Sequence, residues 1–431
     1  MNLLSRRPGL WVVALALVAS AIGCGSAKSG PPVLNWYVPP DNGAYQKLAD
    51  RCSRASGGAY RVKVSVLPTD ASGQREQLVR RLAAKDSSID VMALDPVFVP
   101  EFAEAKFLRP FTAAETGPLV DGMLRSAVES STWRNRLVAA PFRANTQLLW
   151  YRKSIAAKAG LDPTRPVTWD QLIDAAEQTH RTVAVPAKRY EGITVWVNGL
   201  VAGAGGAIVE DVEKGIDLKA TLTRGGAGKR AAEVMRRLGR SSAAPPNLAT
   251  SIEDDTRVTF QSDLGGFMIN WTYAHGAAAE AVGKGQLSQA ILDDYGWARY
   301  PQTDAGTVSK PPFGGISLGV SAYGKHTAQA ARAVQCAGTL ENQITYLLES
   351  KETTAKAAAY DDPRVREALP MAELIKQSLD EAGPRPRTPY YNDVSASVQR
   401  KYHPPADVDP NTAPRDTDTL ITGVLHDEVL L

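Results

Sequence analysis

Residues 33–95 switch repeatedly between a strand period of two and a helical period of about 3.6, and this alternation restricts the fold more than composition does. Val33-Leu34-Asn35-Trp36-Tyr37-Val38 is an extended apolar run, and residues 44–53 turn helical. Residues 61–67 alternate again, with Val62, Val64 and Val66 on one face. Residues 75–85 read as an amphipathic helix with Leu78 and Leu82 one turn apart. Ile89-Asp90-Val91-Met92-Ala93-Leu94-Asp95 is a mostly apolar strand that ends in a carboxylate. Short joints between such elements predict an α/β layer with a largely parallel sheet.

The alternation resumes after Pro141. Residues 145–151 predict a long strand and 154–159 a helix; 169–181 predict a helix opened by Thr168 as N-cap. Residues 193–204 read as a buried helix, 267–271 and 316–322 as buried strands, and 328–340 as an alanine-rich helix. A proline-punctuated loop is expected over 384–389 and a last helix from 418 onward.

The first residues carry a different signal. Arg6 and Arg7 precede an apolar run over 10–22, and Ala21-Ile22-Gly23 leads into Cys24. A basic start, a short apolar core and small residues before a cut describe a secretory signal over residues 1–23. The run is shorter than the roughly twenty residues that cross a membrane as a helix. With cysteine after the cut the segment resembles a bacterial lipobox, although Ala21 stands where leucine is usual. That likeness implies lipidation at Cys24, a tether over 24–32 and a place at the extracytoplasmic face of the cell membrane. The rest of the chain is long enough for two domains of about 200 residues each.

A formal charge of +3 over 431 residues leaves no electrostatic footprint for nucleic acid. Five scattered histidines lack metal-ligand spacing, so neither a metal nor a cofactor is expected. Cys52 and Cys336 remain beside Cys24, and outside the cytoplasm two leftover cysteines are expected to pair. The alternative is two buried thiols. A bond would put the start and the late middle of the chain in one domain.

Open α/β sheets bind ligands at the carboxyl ends of their strands. Asp41-Asn42-Gly43 follows the first strand, where Asn42 is a candidate contact and a helix cap is the competing role. Asp95 ends another strand, and Pro96 after it has no N–H to be capped, which favours a ligand role. Trp271 ends a third strand, as a stacking plane for a sugar ring or as a core tryptophan. Gly315-Ile316-Ser317-Leu318-Gly319 matches a nucleophile elbow, yet the apolar run continues to Val320 instead of turning into a helix. His403 and His426 come later in the order a triad needs, without local support. No catalytic residue is expected; the glycines fit a strand that another backbone or a ligand approaches closely.

Gln147-Leu148-Leu149-Trp150-Tyr151-Arg152, Met268-Ile269-Asn270-Trp271 and Phe313-Gly314-Gly315 resemble, in this order, extracellular solute-binding proteins of ABC sugar importers. The likeness covers essentially all of the chain after the signal, in the style of maltose-binding protein. Asp90 to Asp95, Glu101-Phe102-Ala103-Glu104-Ala105 and Asn145 to Arg152 are more specifically similar to trehalose-binding lipoproteins of ABC importers (LpqY type), as are the surroundings of Cys52 and Cys336. The resemblance implies a two-lobed periplasmic-binding-protein-like (type II) α/β fold with the ligand cleft between the lobes. Lobe I would comprise 33–143 plus 299–349, and lobe II 145–298 plus 350–431. Ligand contacts would fall at Asp95, Asn145, Glu253, Trp271, Gly314 or Gly315, and Arg385. A shift of one residue within Ile252-Glu253-Asp254-Asp255 lets the neighbouring acid compete with Glu253, and Arg387 competes with Arg385. The chain departs from that family over 273–301, where an insertion is missing, and at Ser262-Asp263-Leu264-Gly265. The implied function is capture of a neutral disaccharide, trehalose first, by hinge closure. The monomeric, acyl-anchored protein would then deliver it to membrane permease subunits. The competing readings are a secreted esterase or glycosidase and a surface protein that transports nothing.

Overall fold

A computed structural model describes residues 30–431, so the signal, the lipobox with Cys24 and most of the tether lie outside the described residues. Eight strands form the main sheet: β1 (Val33–Val38), β2 (Arg61–Val66), β3 (Val91–Leu94), β4 (Ala140–Arg152), β5 (Thr182–Ala184), β6 (Gly265–Trp271), β7 (Tyr295–Ala298) and β8 (Phe313–Val320). Their order is β2-β1-β3-β8-β4-β6-β5, and β7 also pairs with β4. β1 runs parallel to β2 and β3, whereas β8 is antiparallel to β3 and to β4.

β4 joins the two halves. Ala140 to Thr146 pair with β8, while Gln147 to Tyr151 pair with β6. One strand of 13 residues therefore belongs to both sheet halves and is the route by which the chain crosses. The first half packs Leu34, Trp36, Tyr45, Phe142, Leu318 and Val334 into one core, and the second packs Trp169, Trp196, Leu200, Met235 and Tyr300. Each such side chain contributes about 1.5–3 kcal/mol when fully buried. Arg299 to Thr303, expected in lobe I, lie instead with the second core. Tyr300 stacks edge-on against Trp169 at 5.7 Å, and Gln302 bridges to Thr168. The chain re-enters the first half only at β8.

Local chemistry explains where the elements start. Thr168 and Gln171 form a capping box for the helix Trp169–Thr179. The helix Ala71–Ala83 begins earlier than the apolar spacing implies, because the Asp70 carboxylate accepts from the Gly73 N–H at 2.8 Å. On β2, Val66 is 64% exposed, since this strand is the sheet edge. Cys52, on the helix Ala44–Ala55, is bonded to Cys336, on the helix Thr327–Ala337, and both pack into the first core. Among the described residues no helix is long and apolar enough to cross a membrane.

The helix Ala113–Val120 carries a pH-dependent contribution. Glu115 accepts both guanidinium nitrogens of Arg109, at 2.8 and 3.1 Å, and the Thr112 N–H at 2.9 Å. The Arg109 hydrogen bonds come first among the causes that hold its carboxyl down to about 2 from an ordinary 4.5. A depressed acid stabilises the fold above its unfolded pKa and loses that contribution as pH falls through its folded one. Glu115→Gln is expected to remove about 1 kcal/mol at neutral pH, the worth of a cap with a partly exposed ion pair. Denaturant melts should show the gap to the parent closing between pH 4.5 and about 2. A gap that stays constant through that window would refute the assignment.

Candidate functional site

Asp95 leaves the carboxyl end of β3 and is the N-cap of a short helical turn, Pro96–Phe98. Its Oδ1 accepts from the Val97 N–H at 3.2 Å, so the proline does not deprive it of a backbone donor; the next residue supplies one. The same oxygen accepts from Arg385 Nη2 at 2.7 Å. The Arg385 side chain is only 2% exposed, and its Nη1 donates to Glu191 Oε1, also at 2.7 Å. Glu191 accepts further from the hydroxyls of Tyr391 and Ser395. It is the first residue of the helix Glu191–Gly203, where the helix dipole favours a negative charge.

Arg385 thus ties the first sheet half, through Asp95, to the second, through Glu191. Burial alone would draw the Arg385 pKa down, but Asp95, Tyr391 and Glu191 outweigh it and hold the group above its ordinary value. Burial pushes the Glu191 carboxyl up, against the opposing pull of Arg385. Tyr391 crosses the same gap, its ring 5.9 Å from that of Phe98 in the first half.

Asn145 lies in β4 directly opposite Gly314 in β8. It is 8% exposed, and its Oδ1 accepts from Thr272 Oγ1 at 2.7 Å and from the Thr146 N–H at 2.8 Å. Trp271, at the end of β6, is half-buried and lies over Gly314. A Cβ at Gly314 would come within 2.9 Å of the indole Cη2 and Cζ3, so only glycine lets the ring lie there. Gly315 has a different reason: its φ is +135°, and a Cβ would meet the Arg143 carbonyl oxygen at 2.1 Å.

The acidic run after Ile252 sorts into separate roles. Asp255 accepts from the Ile252 N–H at 3.1 Å and starts the helix Glu253–Gln261. Asp254 is exposed and accepts from the Tyr273 hydroxyl at 3.0 Å. Glu253 accepts from the hydroxyl of Tyr190, the residue before Glu191. Glu253 is thus held by the sequence neighbour of Glu191, while Glu191 itself is joined through Arg385 to Asp95.

Other sequence candidates lie apart from it. Asp41 accepts from the Gly43 and Tyr45 N–H groups, at 2.9 and 2.7 Å, and acts as the helix cap; Asn42 beside it is exposed at the carboxyl end of β1. Arg387 donates to the Thr132 carbonyl and not to Asp95. Ser317 is buried in mid-strand with its Oγ 2.8 Å from Ser131 Oγ. His403 Nε2 lies 2.9 Å from the Ala249 carbonyl, and among the described residues no histidine hydrogen-bonds to Ser317. Sequence reasoning missed Tyr190, Glu191 and Tyr391. Their roles come from contacts between residues 63 to 200 positions apart, and no local spacing announces them.

Residues 39–344 match the family model described as bacterial extracellular solute-binding protein. A curated relative from Deinococcus radiodurans, named a probable ABC transporter-binding protein, is 27% identical over 81% of this chain and 82% of its own length. Maltose-bound MalE3 of T. maritima superposes with a TM-score of 0.78 at 24% identity, covering 92% of this chain and 100% of the other. An ABC transporter solute-binding protein of Agrobacterium vitis S4 with bound D-mannitol gives 0.70 at 19% identity, covering 92% and 98%. With a two-lobed α/β fold, a bridged interlobe cleft and a family match over most of its length, this chain belongs to the bacterial extracellular solute-binding proteins, which bind their solutes and are not enzymes.

Proposed function

We propose that this protein is the solute receptor of an ABC importer and takes a neutral disaccharide, trehalose first, in the cleft spanned by Arg385. The observation that carries this reading is the Trp271 ring over Gly314 beside Asn145, an aromatic plane bordered by hydrogen-bonding groups. A pyranose presents one C–H face to such a plane and its hydroxyls to the rim. Asp95 and Glu191 bring two carboxylates against the single guanidinium of Arg385, and Glu253 adds a third on the Tyr190 hydroxyl. That balance repels anions and suits a neutral polyol that donates hydroxyl protons. The ligands of the two structural relatives, maltose and D-mannitol, are of that class.

In this reading Asp95 and Gly314 face Asn145, Glu253, Trp271 and Arg385, with Asn42 at the rim. Lobe I is 33–143 and the β8-to-349 segment; lobe II is the remainder. A solute that touches both lobes binds the closed form more tightly and shifts the population toward it. The closed form docks on the permease, and the acylated Cys24 keeps the monomer at the membrane surface.

Calorimetry with trehalose, maltose and mannitol tests the reading. Trehalose is expected to bind in the micromolar range, about 8 kcal/mol, and to be recovered intact. Trp271→Ala should weaken it by about 2 kcal/mol, as loss of a central aromatic contact does. Undiminished affinity in that variant would remove Trp271, and with it the stacking site, from the cleft.

A further inference from the structure

A cavity of about 290 Å³ opens beside the loop that carries Arg385, between the helix Arg125–Ser130, the start of β8 and the end of the helix Ala372–Glu381. It lies behind the crossing strands. Phe313 lines it, whereas Gly314, the next residue of the strand, meets Trp271 on the opposite face. At this size it sits at the lower limit of small-molecule pockets.

Its charges are unevenly satisfied. Arg125 and Glu129 pair with each other at 2.6 Å. Arg387 donates to one carbonyl, that of Thr132, while its Nε is buried without a partner, and it forms no ion pair among the described residues. Removing a guanidinium from water without a paired anion is unfavourable, and burial draws the Arg387 pKa down against the opposing pull of Glu129 and Glu213. Asp380, also in the lining, is exposed and has neither an ion pair nor a hydrogen bond among the described residues. Phe313 and Leu379 supply an apolar wall.

We propose that this cavity is a second solute site, separate from the sugar cleft, for a small zwitterion with an apolar body, of which a free α-amino acid is the simplest. Its carboxylate pairs with Arg387, its ammonium with Asp380, and its side chain packs on Phe313 and Leu379. Guanidinium and carboxylate match as a fork of two parallel hydrogen bonds, and Arg387 is the cavity's cation without an ion-pair partner among the described residues.

Titration calorimetry of the chain with millimolar L-leucine tests this. The parent is expected to bind leucine. Leucinamide, which lacks the carboxylate, and 4-methylpentanoate, which lacks the ammonium, should each bind at least about tenfold more weakly, as should leucine to Arg387→Met. Asp380→Asn should weaken leucine and leave 4-methylpentanoate unchanged. Arg387→Met should keep the parent's melting transition and its trehalose response, so failure of this site is distinguishable from failure of the sugar reading. No heat with leucine in the parent, or equal leucine affinity in Arg387→Met, would overturn the proposal.

Discussion

Arg385→Met is expected to lower the stability of the ligand-free protein by about 3–5 kcal/mol and to abolish sugar binding. The buried guanidinium is shared by Asp95 and Glu191, each at 2.7 Å. Removing it leaves two largely buried carboxylates without their counter-charge, and the cost is that of uncompensated charge more than of two lost hydrogen bonds. Lysine should not rescue the variant, because a single ammonium cannot present two nitrogens to two separated carboxylates. The decisive comparison is a triple variant, Arg385→Met with Asp95→Asn and Glu191→Gln. If unpaired charge is the cause, neutralising both acids should recover most of the loss in a denaturant melt while binding stays absent. A single variant as stable as the parent, or a triple variant worse than the single one, would show that Arg385 does not hold the lobes in this way.

Elements built by local rules were readable from the sequence. β1 occupies the expected run, β4 and β8 start earlier than read, and the helix opened by Thr168 ends close to its predicted terminus. What failed locally failed for a physical reason. Pro96 lacks an N–H, but a carboxylate at an N-cap reaches the second helical residue as readily as the first, and Asp95 does so with Val97. The helix Ala227–Arg240 went unread although Ala231, Val234, Met235 and Leu238 repeat at helical spacing. The site was legible only as residue types. Asp95 and Arg385 were singled out separately, but their mutual contact spans 290 positions and is decided by how the lobes meet. Glu191 had no signal, since one glutamate at a helix start is ordinary. The glycines of the 315–319 run were read as points of close approach, and Gly315 meets the Arg143 carbonyl in that way; that the Trp271 ring lies against Gly314 needed the three-dimensional arrangement.

Replacing Cys52 and Cys336 together by serine is expected to cost several kcal/mol without altering sugar affinity. The bond joins positions 284 residues apart, so in the unfolded chain it closes a loop containing most of the protein. Chain-entropy reasoning puts that constraint on the order of 5 kcal/mol, and native disulfides typically contribute about 2–5. The folded side adds to it: Cys52 is 1% exposed, and the Asn342 amide donates to the Cys336 carbonyl at 2.8 Å, so serine would bring hydroxyls into a packed core. The bond staples the helix Ala44–Ala55 to the helix Thr327–Ala337 inside the first core, whereas Trp271, Glu253 and Arg385 are carried by elements outside that core. Stability and binding should therefore separate. Urea unfolding of the double variant is expected to show a lower midpoint, matched by the parent under reductant, with calorimetric sugar affinity within about twofold of the parent. A midpoint unmoved by both treatments would mean that the unfolded ensemble gains nothing when the bond is cut. A large loss of affinity at preserved stability would instead tie the first core to the cleft.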